Sequence, residues 1–279
     1  MSGKRRKELD RKWEKLQGIL KDLGSVVVAF SAGVDSTFLL HAAVKVLASE
    51  KTLAVTSHSV IHPARDLERA KTLAREMGVR HLVLEGNELE YPEFRKNPPE
   101  RCYICKKELF NRLKELAAAE GFEHVAEGSN TGDLGDYRPG MRALKELGIR
   151  SPLLEAGLAK QDIRALSKEA GLPTWNRPSA ACLASRVPYG TEITAEGLAR
   201  VDEGESFLAE LGLAGPVRVR HHETVVRLEM DPEGFPSLIS EELRARVVKK
   251  FKSLGYGYVA LDLEGYRTGS LNEELENRK

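Results

Sequence analysis

A chain of 279 residues with 41% hydrophobic side chains is long enough for two ordinary domains with packed cores. Its 43 basic and 42 acidic side chains nearly cancel, which disfavours nucleic acid and anionic membranes as partners and restricts any polyanion site to a local one. The apolar runs fall short of the roughly 20 residues of a membrane span, and residues 1–15 lack the apolar core of a signal peptide, so we expect a cytoplasmic protein whose thiols stay reduced.

Up to about residue 190 the chain alternates short β-branched runs with amphipathic segments. After a charged N-terminal helix, strands are predicted at residues 25–30, 53–58, 81–85 and 124–127, and helices at residues 36–49, 64–77, 106–120 and 160–170. This alternation predicts an α/β fold in which helices cover both faces of a parallel sheet. Ligands of such sheets bind beyond the carboxyl ends of the strands, and the first strand ends at Ser31.

The pattern changes after residue 190. A long helix is predicted at residues 195–211, followed by strands at 217–220 and 224–229, a helix at 241–254 and a strand at 258–263. We therefore predict four regions along the chain: the N-terminal helix (1–24), a main α/β domain that includes a cysteine-bearing loop (25–190), a smaller α+β domain (191–265) and a polar tail (266–279).

The turn after the first strand is predicted to bind phosphate. It reads Ser31-Ala32-Gly33-Val34-Asp35-Ser36. A strand that enters a helix through such a turn directs backbone N–H groups and a helix N-terminus at one point. Gly33 allows close approach, Ser31 and Ser36 offer hydroxyl groups, and Asp35 is a candidate Mg²⁺ ligand. The turn lacks the ending of a Walker P-loop, so γ-phosphate transfer is not expected; the alternative is a serine-capped helix with an incidental glycine.

A second polar cluster, residues 127–133, follows the fourth predicted strand and should reach the same edge of the sheet. Within it, Ser129 and Asn130 are candidate nucleotide-binding residues and Asp133 is a candidate second magnesium ligand. A simple turn built from Gly, Asn and Asp is the alternative.

The chain has three cysteines, Cys102, Cys105 and Cys182. An odd number argues against a disulfide framework and favours metal binding or catalysis. Cys102 and Cys105 form a Cys-x-x-Cys pair at a predicted helix start among basic side chains, where thiolates are favoured. With Cys182 they could hold a zinc ion, or a four-iron cluster with one iron open. A redox Cys-x-x-Cys with an unrelated Cys182 is the alternative.

Two arginines lie on one face of a predicted strand in the smaller domain. Arg218 and Arg220 could hold a phosphate or carboxylate of a substrate as a forked pair. Ser185 and Arg186, which follow Cys182, are second candidates. The alternative for Arg218 and Arg220 is a solvated strand face.

Three nearby residues are kept out of the predicted site. Glu229 could complement a metal or a substrate nitrogen, but we expect it to be an exposed carboxylate. His221 and His222 are neighbours on a strand and point to opposite faces, so they cannot easily share one metal ion.

The turn at Ser31 resembles the PP-loop pyrophosphatase signature Ser-Gly-Gly-x-Asp-Ser, with Ala32 in place of the first glycine. That replacement is acceptable if Ala32 has a negative φ. Together with the Glu-Gly-Ser-Asn cluster at Glu127, the loop around Cys182 and the Arg-x-Arg-His-His strand from Arg218, it makes the chain similar over nearly its whole length to the LarE family of ATP-dependent sulfur transferases. The resemblance implies a PP-loop ATP pyrophosphatase domain of the adenine nucleotide alpha hydrolase type, a smaller α+β domain and a homo-oligomer.

The resemblance also implies a reaction. ATP, with Mg²⁺, adenylylates the carboxylate of pyridinium-3,5-biscarboxylic acid mononucleotide, and sulfur then replaces oxygen to give a thiocarboxylate for the nickel-pincer nucleotide cofactor. In family members with one cysteine, the residue matching Cys182 gives up its sulfur and becomes dehydroalanine. The additional Cys102 and Cys105 fit a branch in which a [4Fe-4S] cluster carries sulfide that a sulfide donor or sulfur carrier replaces.

Three other functions compete with this one. An amide-forming PP-loop ligase has no need of three cysteines, and a tRNA thiolase would normally show a basic patch or an added RNA-binding module. The non-enzymatic alternative is a nucleotide-binding scaffold or zinc-stabilised interaction module, in which the cysteines only clamp a loop to a helix.

Overall fold

The computed structural model describes residues 3–135, 139–178, 181–213, 215, 217–267 and 269–273 of the protein. The strands are β1 (Val26–Ala29), β2 (Thr52–His58), β3 (Arg80–Glu85), β4 (Val125–Ala126), β5 (Arg218–His222), β6 (Val225–Glu229) and β7 (Tyr258–Leu261). The α-helices are α1 (Gly3–Leu23), α2 (Val34–Leu47), α3 (Ala64–Glu76), α4 (Pro92–Arg95), α5 (Arg101–Ala119), α6 (Pro139–Glu146), α7 (Pro152–Glu155), α8 (Lys160–Glu169), α9 (Ala195–Glu210), α10 (Phe235–Leu238) and α11 (Glu241–Ser253).

All of the strands and helices predicted from hydrophobic periodicity are present, and most of their ends lie within two residues of the prediction. Helix α5 begins at Arg101, five residues before the periodic segment, so the Cys-x-x-Cys pair lies in its first turns. The helices α4, α6, α7 and α10 were not predicted. Three of them have only four residues, which is too short for a 3.6-residue period to be recognised. Part of the predicted polar tail, residues 268 and 274–279, lies outside the described residues.

The chain folds as two compact units. The first comprises the described residues within Met1–Ser59, Ala64–Gly86 and Cys102–Ala180, and the second those within Val60–Pro63, Asn87–Arg101 and Ala181–Lys279. The domain bounds predicted from the sequence, 25–190 and 191–265, stay a prediction.

The first unit is built on a parallel four-stranded sheet with the strand order β3-β2-β1-β4. Alternate residues of β1 face two different layers of core, as the two-residue period of a strand requires. Val26 and Val28 pack in a cluster that includes side chains of α1, α2, α3 and α8. Val27 packs on the other face with side chains of β2 and α5, including Val55 and Phe110. The predicted α/β class with a parallel sheet covered on both faces is therefore confirmed.

The second unit contains a three-stranded sheet with the order β5-β6-β7, antiparallel between β5 and β6 and parallel between β6 and β7. Helices α9 and α11 pack together where Gly204 meets the Phe251 ring: a Cβ at Gly204 would lie 2.6 Å from that ring. The smaller α+β region predicted after the main domain is thus present. In the described part of the chain, none of the helices has both the length and the apolar composition needed to cross a bilayer.

Candidate functional site

The predicted phosphate-binding turn connects β1 to α2 at the carboxyl edge of the first sheet. Gly33 is the residue before the first turn of α2, and the Gly33 carbonyl accepts from the Thr37 N–H at 3.0 Å. The Ser31 N–H donates to Ser36 Oγ at 3.2 Å, and the two serine hydroxyl oxygens lie 3.1 Å apart. Because the first N–H groups of a helix have no partner within it, this geometry presents donors to an anion.

The backbone of Ala32 differs from the negative φ under which an alanine was expected to fit this turn. Its φ is +53° instead of negative, so a residue with a Cβ adopts the left-handed conformation that favours glycine. Arg177 holds this conformation, since its Nη1 donates to the Ala32 carbonyl at 2.9 Å and its Nη2 contacts Asp66 Oδ1 at 2.5 Å. No sequence pattern indicated that a side chain 145 positions further on supports the turn.

Asp35 carries an incomplete set of contacts. Its Oδ2 contacts Lys160 Nζ at 2.5 Å, while its Oδ1 is buried and has no hydrogen-bond partner among the described residues. Burial raises the pKa of Asp35, the Lys160 ammonium group opposes that rise, and the nearby charge of Asp133 adds to it. A buried carboxylate oxygen without a partner, close to a second carboxylate, fits a hard cation such as Mg²⁺. Lys160 was missed by the sequence analysis.

The polar cluster of residues 127–133 meets the turn through Gly128. A Cβ at Gly128 would lie 3.0 Å from the Ser36 backbone nitrogen, so any larger residue would require the backbone of the turn to shift by a few tenths of an ångström. The Ser129 hydroxyl donates to Glu127 at 2.8 Å, and Asn130 Oδ1 accepts from the Gly132 N–H at 3.0 Å.

Asp133 also makes a contact within this cluster. Its Oδ2 accepts from the Asn130 N–H at 2.8 Å. The structure brings Gly128 and Asp133 of this cluster close to the turn, and the roles of Ser129, Asn130 and Asp133 in nucleotide and metal binding stay predictions.

Cys102 and Cys105 lie in the first turns of α5. Neither forms a disulfide bond, and Cys102 is exposed while Cys105 is half-buried. Residues three apart share one face of a helix. Helix α6 approaches this turn closely, because a Cβ at Gly140 would lie 2.6 Å from Lys106 Cδ and 3.3 Å from the Cys102 carbonyl oxygen.

Cys182 belongs to the second unit, where polar side chains fix its loop. It is a free, half-buried thiol. The Ser185 hydroxyl donates to the Cys182 carbonyl at 2.7 Å, and Arg186 Nη1 donates to the same carbonyl at 3.0 Å. Arg186 also makes a two-point ion pair with Glu205, at 2.8 and 3.1 Å. Both charged side chains are 4% exposed, so Arg186 shapes the loop as well as being a candidate substrate ligand.

Arg220 is buried in a network of hydrogen bonds, which contradicts the solvated strand face considered as its alternative. Its Nη2 contacts Glu229 at 2.6 Å and Ser270 Oγ at 2.9 Å, and its Nη1 donates to the Ser185 carbonyl at 2.8 Å. Glu229 was expected to be exposed, and that prediction is wrong: its side chain is 0% exposed and also pairs with Arg227 at 3.0 Å. A buried carboxylate requires such partners.

Arg218 completes a group of three guanidinium groups. Burial, and then the positive charges of Arg186 and Arg220, lower the pKa of Arg218. Its guanidinium group lies 5.1 Å from the centre of the Tyr266 ring. An anion bound among three mutually repelling cations would relieve that repulsion.

A further clasp holds the loop after Cys182 within the second unit. Asn97 is 0% exposed and has a φ of +54°, and its Nδ2 donates to the carbonyls of Val187 and Pro188 at 3.2 and 2.7 Å. Arg101 donates to Asn97 Oδ1 and lies 4.4 Å from the centre of the Tyr189 ring. No sequence pattern pointed to Asn97 or Arg101, because their partners are about ninety positions away.

His221 contacts Tyr256, and its exclusion from the site stays a prediction. Its Nδ1 lies 2.9 Å from the Tyr256 hydroxyl. No group of three or more His, Cys, Asp or Glu side chains placed to hold a metal ion occurs within the described ranges. Thiolates suit iron or zinc chemically, but the described residues form no such three-ligand group.

Comparison with known proteins identifies relatives that span most of the chain. Residues 12–97, which include the phosphate-binding turn, match the NAD synthase family. A protein named pyridinium-3,5-bisthiocarboxylic acid mononucleotide synthase, from Lactiplantibacillus plantarum, is 38% identical over 263 residues that cover 93% of each chain.

Two uncharacterized proteins are also similar. The one from Synechocystis sp. is 41% identical over 96% of this chain and 99% of its own, and the one from Methanocaldococcus jannaschii is 31% identical over 87% and 91%. Because the 38% identity to the named synthase extends over 93% of both chains, the chain is an enzyme of the LarE family, within the ATP-using PP-loop proteins.

Proposed function

We propose that the protein is an ATP-dependent sulfur transferase that converts a carboxylate of pyridinium-3,5-biscarboxylic acid mononucleotide into a thiocarboxylate, a step towards the nickel-pincer nucleotide cofactor. The name of the Lactiplantibacillus plantarum relative supports the product. The observation that carries the proposal is the phosphate-binding turn, in which Asp35 Oδ1 has no hydrogen-bond partner among the described residues and so suits a magnesium-bound triphosphate.

The first step activates the carboxylate. A substrate carboxylate oxygen attacks the α-phosphorus of ATP, the bond from that phosphorus to the oxygen bridging the β-phosphate breaks, and pyrophosphate leaves with the electron pair. Gly33, Ser31 and Ser36 bind the phosphates, and Asp35 and Asp133 hold Mg²⁺, which when bound neutralises phosphate charge. The acyl adenylate then has AMP as a leaving group, which a free carboxylate lacks.

The arginine group positions the substrate in this proposal. Arg218 and Arg220, with Ser185 and Arg186 beside Cys182, bind the phosphate and the second carboxylate of the mononucleotide. This role is supported by the surroundings of Arg218: burial, and then the positive charge of Arg186, lowers the pKa of Arg218, and a bound anion would offset that charge.

The second step replaces oxygen by sulfur at the acyl carbon, and AMP leaves. We propose that Cys102, Cys105 and Cys182 hold a [4Fe-4S] cluster, which when bound would supply sulfide from an open iron. In the alternative, Cys182 Sγ attacks the acyl carbon to form a thioester. Loss of the Cys182 Cα proton and cleavage of its Cβ–Sγ bond then leave dehydroalanine and the thiocarboxylate. We also propose that a sulfide donor or sulfur carrier resupplies the protein and that it forms a homo-oligomer.

The activity is tested by measuring pyrophosphate and AMP release from MgATP with the biscarboxylic mononucleotide, and the mass of the product. We expect release that requires the carboxylate and a product in which sulfur replaces oxygen. Release with ammonia as the acceptor instead of sulfide would favour an amide-forming ligase, and no release with any carboxylate would favour a nucleotide-binding scaffold.

The source of sulfur is tested anaerobically by iron and sulfide analysis, the absorption spectrum and the intact mass after turnover. A brown protein of unchanged mass that turns over repeatedly with added sulfide supports the cluster. A colourless, active protein that loses the mass of hydrogen sulfide contradicts it. The double variant Cys102→Ala/Cys105→Ala separates the two routes, because it removes two cluster ligands and leaves Cys182 in place.

A further inference from the structure

Lys160 occupies a position that is unfavourable for a lysine unless an anion lies close by. It is the first residue of α8, and a cation at a helix N-terminus faces the positive end of the helix dipole. Asp35 supplies the compensating charge, with Lys160 Nζ 2.5 Å from Asp35 Oδ2. The Lys160 side chain is 35% exposed and the Asp35 side chain 22%, so this contact can open without disrupting the core.

The start of α8 is fixed independently of that contact. Asp162 Oδ2 accepts from the Ala159 N–H at 3.1 Å and from Lys12 Nζ at 2.8 Å. The Thr131 N–H, in the polar cluster, donates to the Leu158 carbonyl at 3.0 Å. The backbone of Lys160 therefore stays beside the phosphate-binding turn when its side chain leaves Asp35.

We propose that Lys160 is a phosphate-binding residue that exchanges Asp35 for the nucleotide when magnesium-bound ATP enters. This inference rests on the proposed function, because it requires a triphosphate at the turn. Asp35 has one oxygen on Lys160 and one buried oxygen without a partner in the described part of the chain. Once Asp35 becomes a metal ligand, it no longer has charge to offer the lysine.

The released ammonium group has a suitable destination. A lysine is a point charge on a flexible four-carbon stem, and phosphates bound at the N-terminus of α2 lie next to Asp35, the second residue of that helix. Lys160 Nζ then donates to a phosphate oxygen and neutralises charge on the departing pyrophosphate. In the free protein the same lysine keeps Asp35 paired.

This exchange predicts that replacing Lys160 changes the affinity for nucleotide and the affinity for a metal ion in opposite directions. Replacing Lys160 removes a phosphate ligand, so nucleotide binding weakens. The same replacement removes the cation that competes for Asp35, so binding of a metal ion alone tightens. A purely structural ion pair predicts neither change, since a partly exposed pair contributes little beyond local stability.

The experiment compares the wild-type protein with Lys160→Met and the control Lys168→Met. Lys168 lies on the same helix, with its Nζ 4.6 Å from the centre of the Trp175 ring. Lys168→Met therefore makes the same change in charge and side-chain size as Lys160→Met. Calorimetry measures binding of α,β-methylene ATP with Mg²⁺, and electron paramagnetic resonance measures binding of Mn²⁺ alone. We expect Lys160→Met to bind the ATP analogue about 10- to 100-fold more weakly and Mn²⁺ more tightly, and Lys168→Met to match the wild type in both.

The outcomes separate this inference from the proposed function. Equal analogue affinity of Lys160→Met and wild type overturns the role of Lys160 and leaves the function standing, whereas a wild type that binds no analogue with Mg²⁺ overturns both. If Lys160→Met does not fold, as judged by circular dichroism, Lys160→Arg is measured instead. This variant keeps a positive charge beside Asp35 but replaces the ammonium group by a guanidinium group. A several-fold loss of analogue affinity supports the inference, and unchanged affinity overturns it.

Discussion

The phosphate-binding turn of the first unit and the arginine group of the second unit handle buried charge in different ways. In the turn, Asp35 has a buried oxygen that accepts no hydrogen bond from any described residue, and its lysine partner is partly exposed. In the arginine group, Arg186 and Arg220 are almost fully buried and paired with Glu205 and Glu229. An incomplete set of contacts is ready for a ligand, whereas completed ion pairs fix the shape of a loop.

The largest effect on stability is expected from breaking one of the completed pairs. Arg186→Met leaves the Glu205 carboxylate buried without its cationic partner and removes one of the two donors to the Cys182 carbonyl. Such a change costs about 3 to 5 kcal/mol of the free energy of unfolding. Urea denaturation measures this loss.

The double variant Arg186→Met/Glu205→Leu serves as the control. Removing both charges restores most of the stability, because hydrophobic side chains of similar size replace buried ion pairs well. If Arg186→Met were as stable as the wild type, the ion pair with Glu205 would not stabilise the loop. The proposed difference between the turn and the arginine group would then be wrong.

Asp35→Asn should affect catalysis much more than folding. The amide keeps the shape of the side chain but loses the charge that holds a metal ion, which is worth several kcal/mol in the transition state. We expect pyrophosphate release to fall at least about 100-fold, with a change in the free energy of unfolding of less than about 1 kcal/mol. Stopped assays of pyrophosphate release and urea denaturation measure the two quantities.

The matched control for Asp35→Asn is Asp10→Asn, which neutralises an exposed carboxylate on α1 that pairs with Arg6. It should leave pyrophosphate release unchanged. Comparable activity of Asp35→Asn and wild type would contradict a metal-binding role for Asp35.

The comparison also explains what the sequence could and could not reveal. The turn from Ser31 to Ser36 is contiguous, so strand, glycine and helix start are readable together, and the parallel sheet follows from local periodicity. Burial of Glu229 was missed because Arg220 and Ser270 surround it from other parts of the chain. The support that Arg177 gives to Ala32, and the contact of Lys160 with Asp35, depend in the same way on tertiary structure.

Ala32 tests how much strain the turn contains. A left-handed alanine costs about 1 to 2 kcal/mol. Ala32→Gly relieves this, but the unfolded chain gains freedom worth about 0.4 to 1 kcal/mol and a buried methyl group worth about 0.8 kcal/mol is lost. The free energy of unfolding should therefore change by less than about 1 kcal/mol.

Ala32→Val is the matching opposite change. A β-branched residue at a φ of +53° in a fully buried position should destabilise the protein by more than about 2 kcal/mol. Thermal and urea denaturation of both variants provide the check. Equal stability of the valine and glycine variants would show that the turn relaxes to another backbone conformation.

The smallest expected effect concerns His81, which supports the start of the turn through Thr56. Its Nε2 lies 2.8 Å from Thr56 Oγ1, and that hydroxyl donates to the Phe30 carbonyl at 2.6 Å. Burial, with a smaller contribution from the charge of Lys71, lowers the pKa of His81. The unfolded chain then binds the proton more readily than the folded one, so this contribution to stability is complete above the ordinary histidine pKa of about 6.5 and decreases as the pH falls below it.

Because the His81 imidazole is only half-buried, solvent screening keeps this loss under about 1 kcal/mol. The free energy of unfolding, measured by urea denaturation between pH 7 and pH 5, should fall less in His81→Gln than in the wild type. His124→Gln is the control for the loss of a histidine at the start of another strand of the same sheet. Identical pH profiles for wild type and His81→Gln would contradict the lowered pKa of His81 in the folded protein.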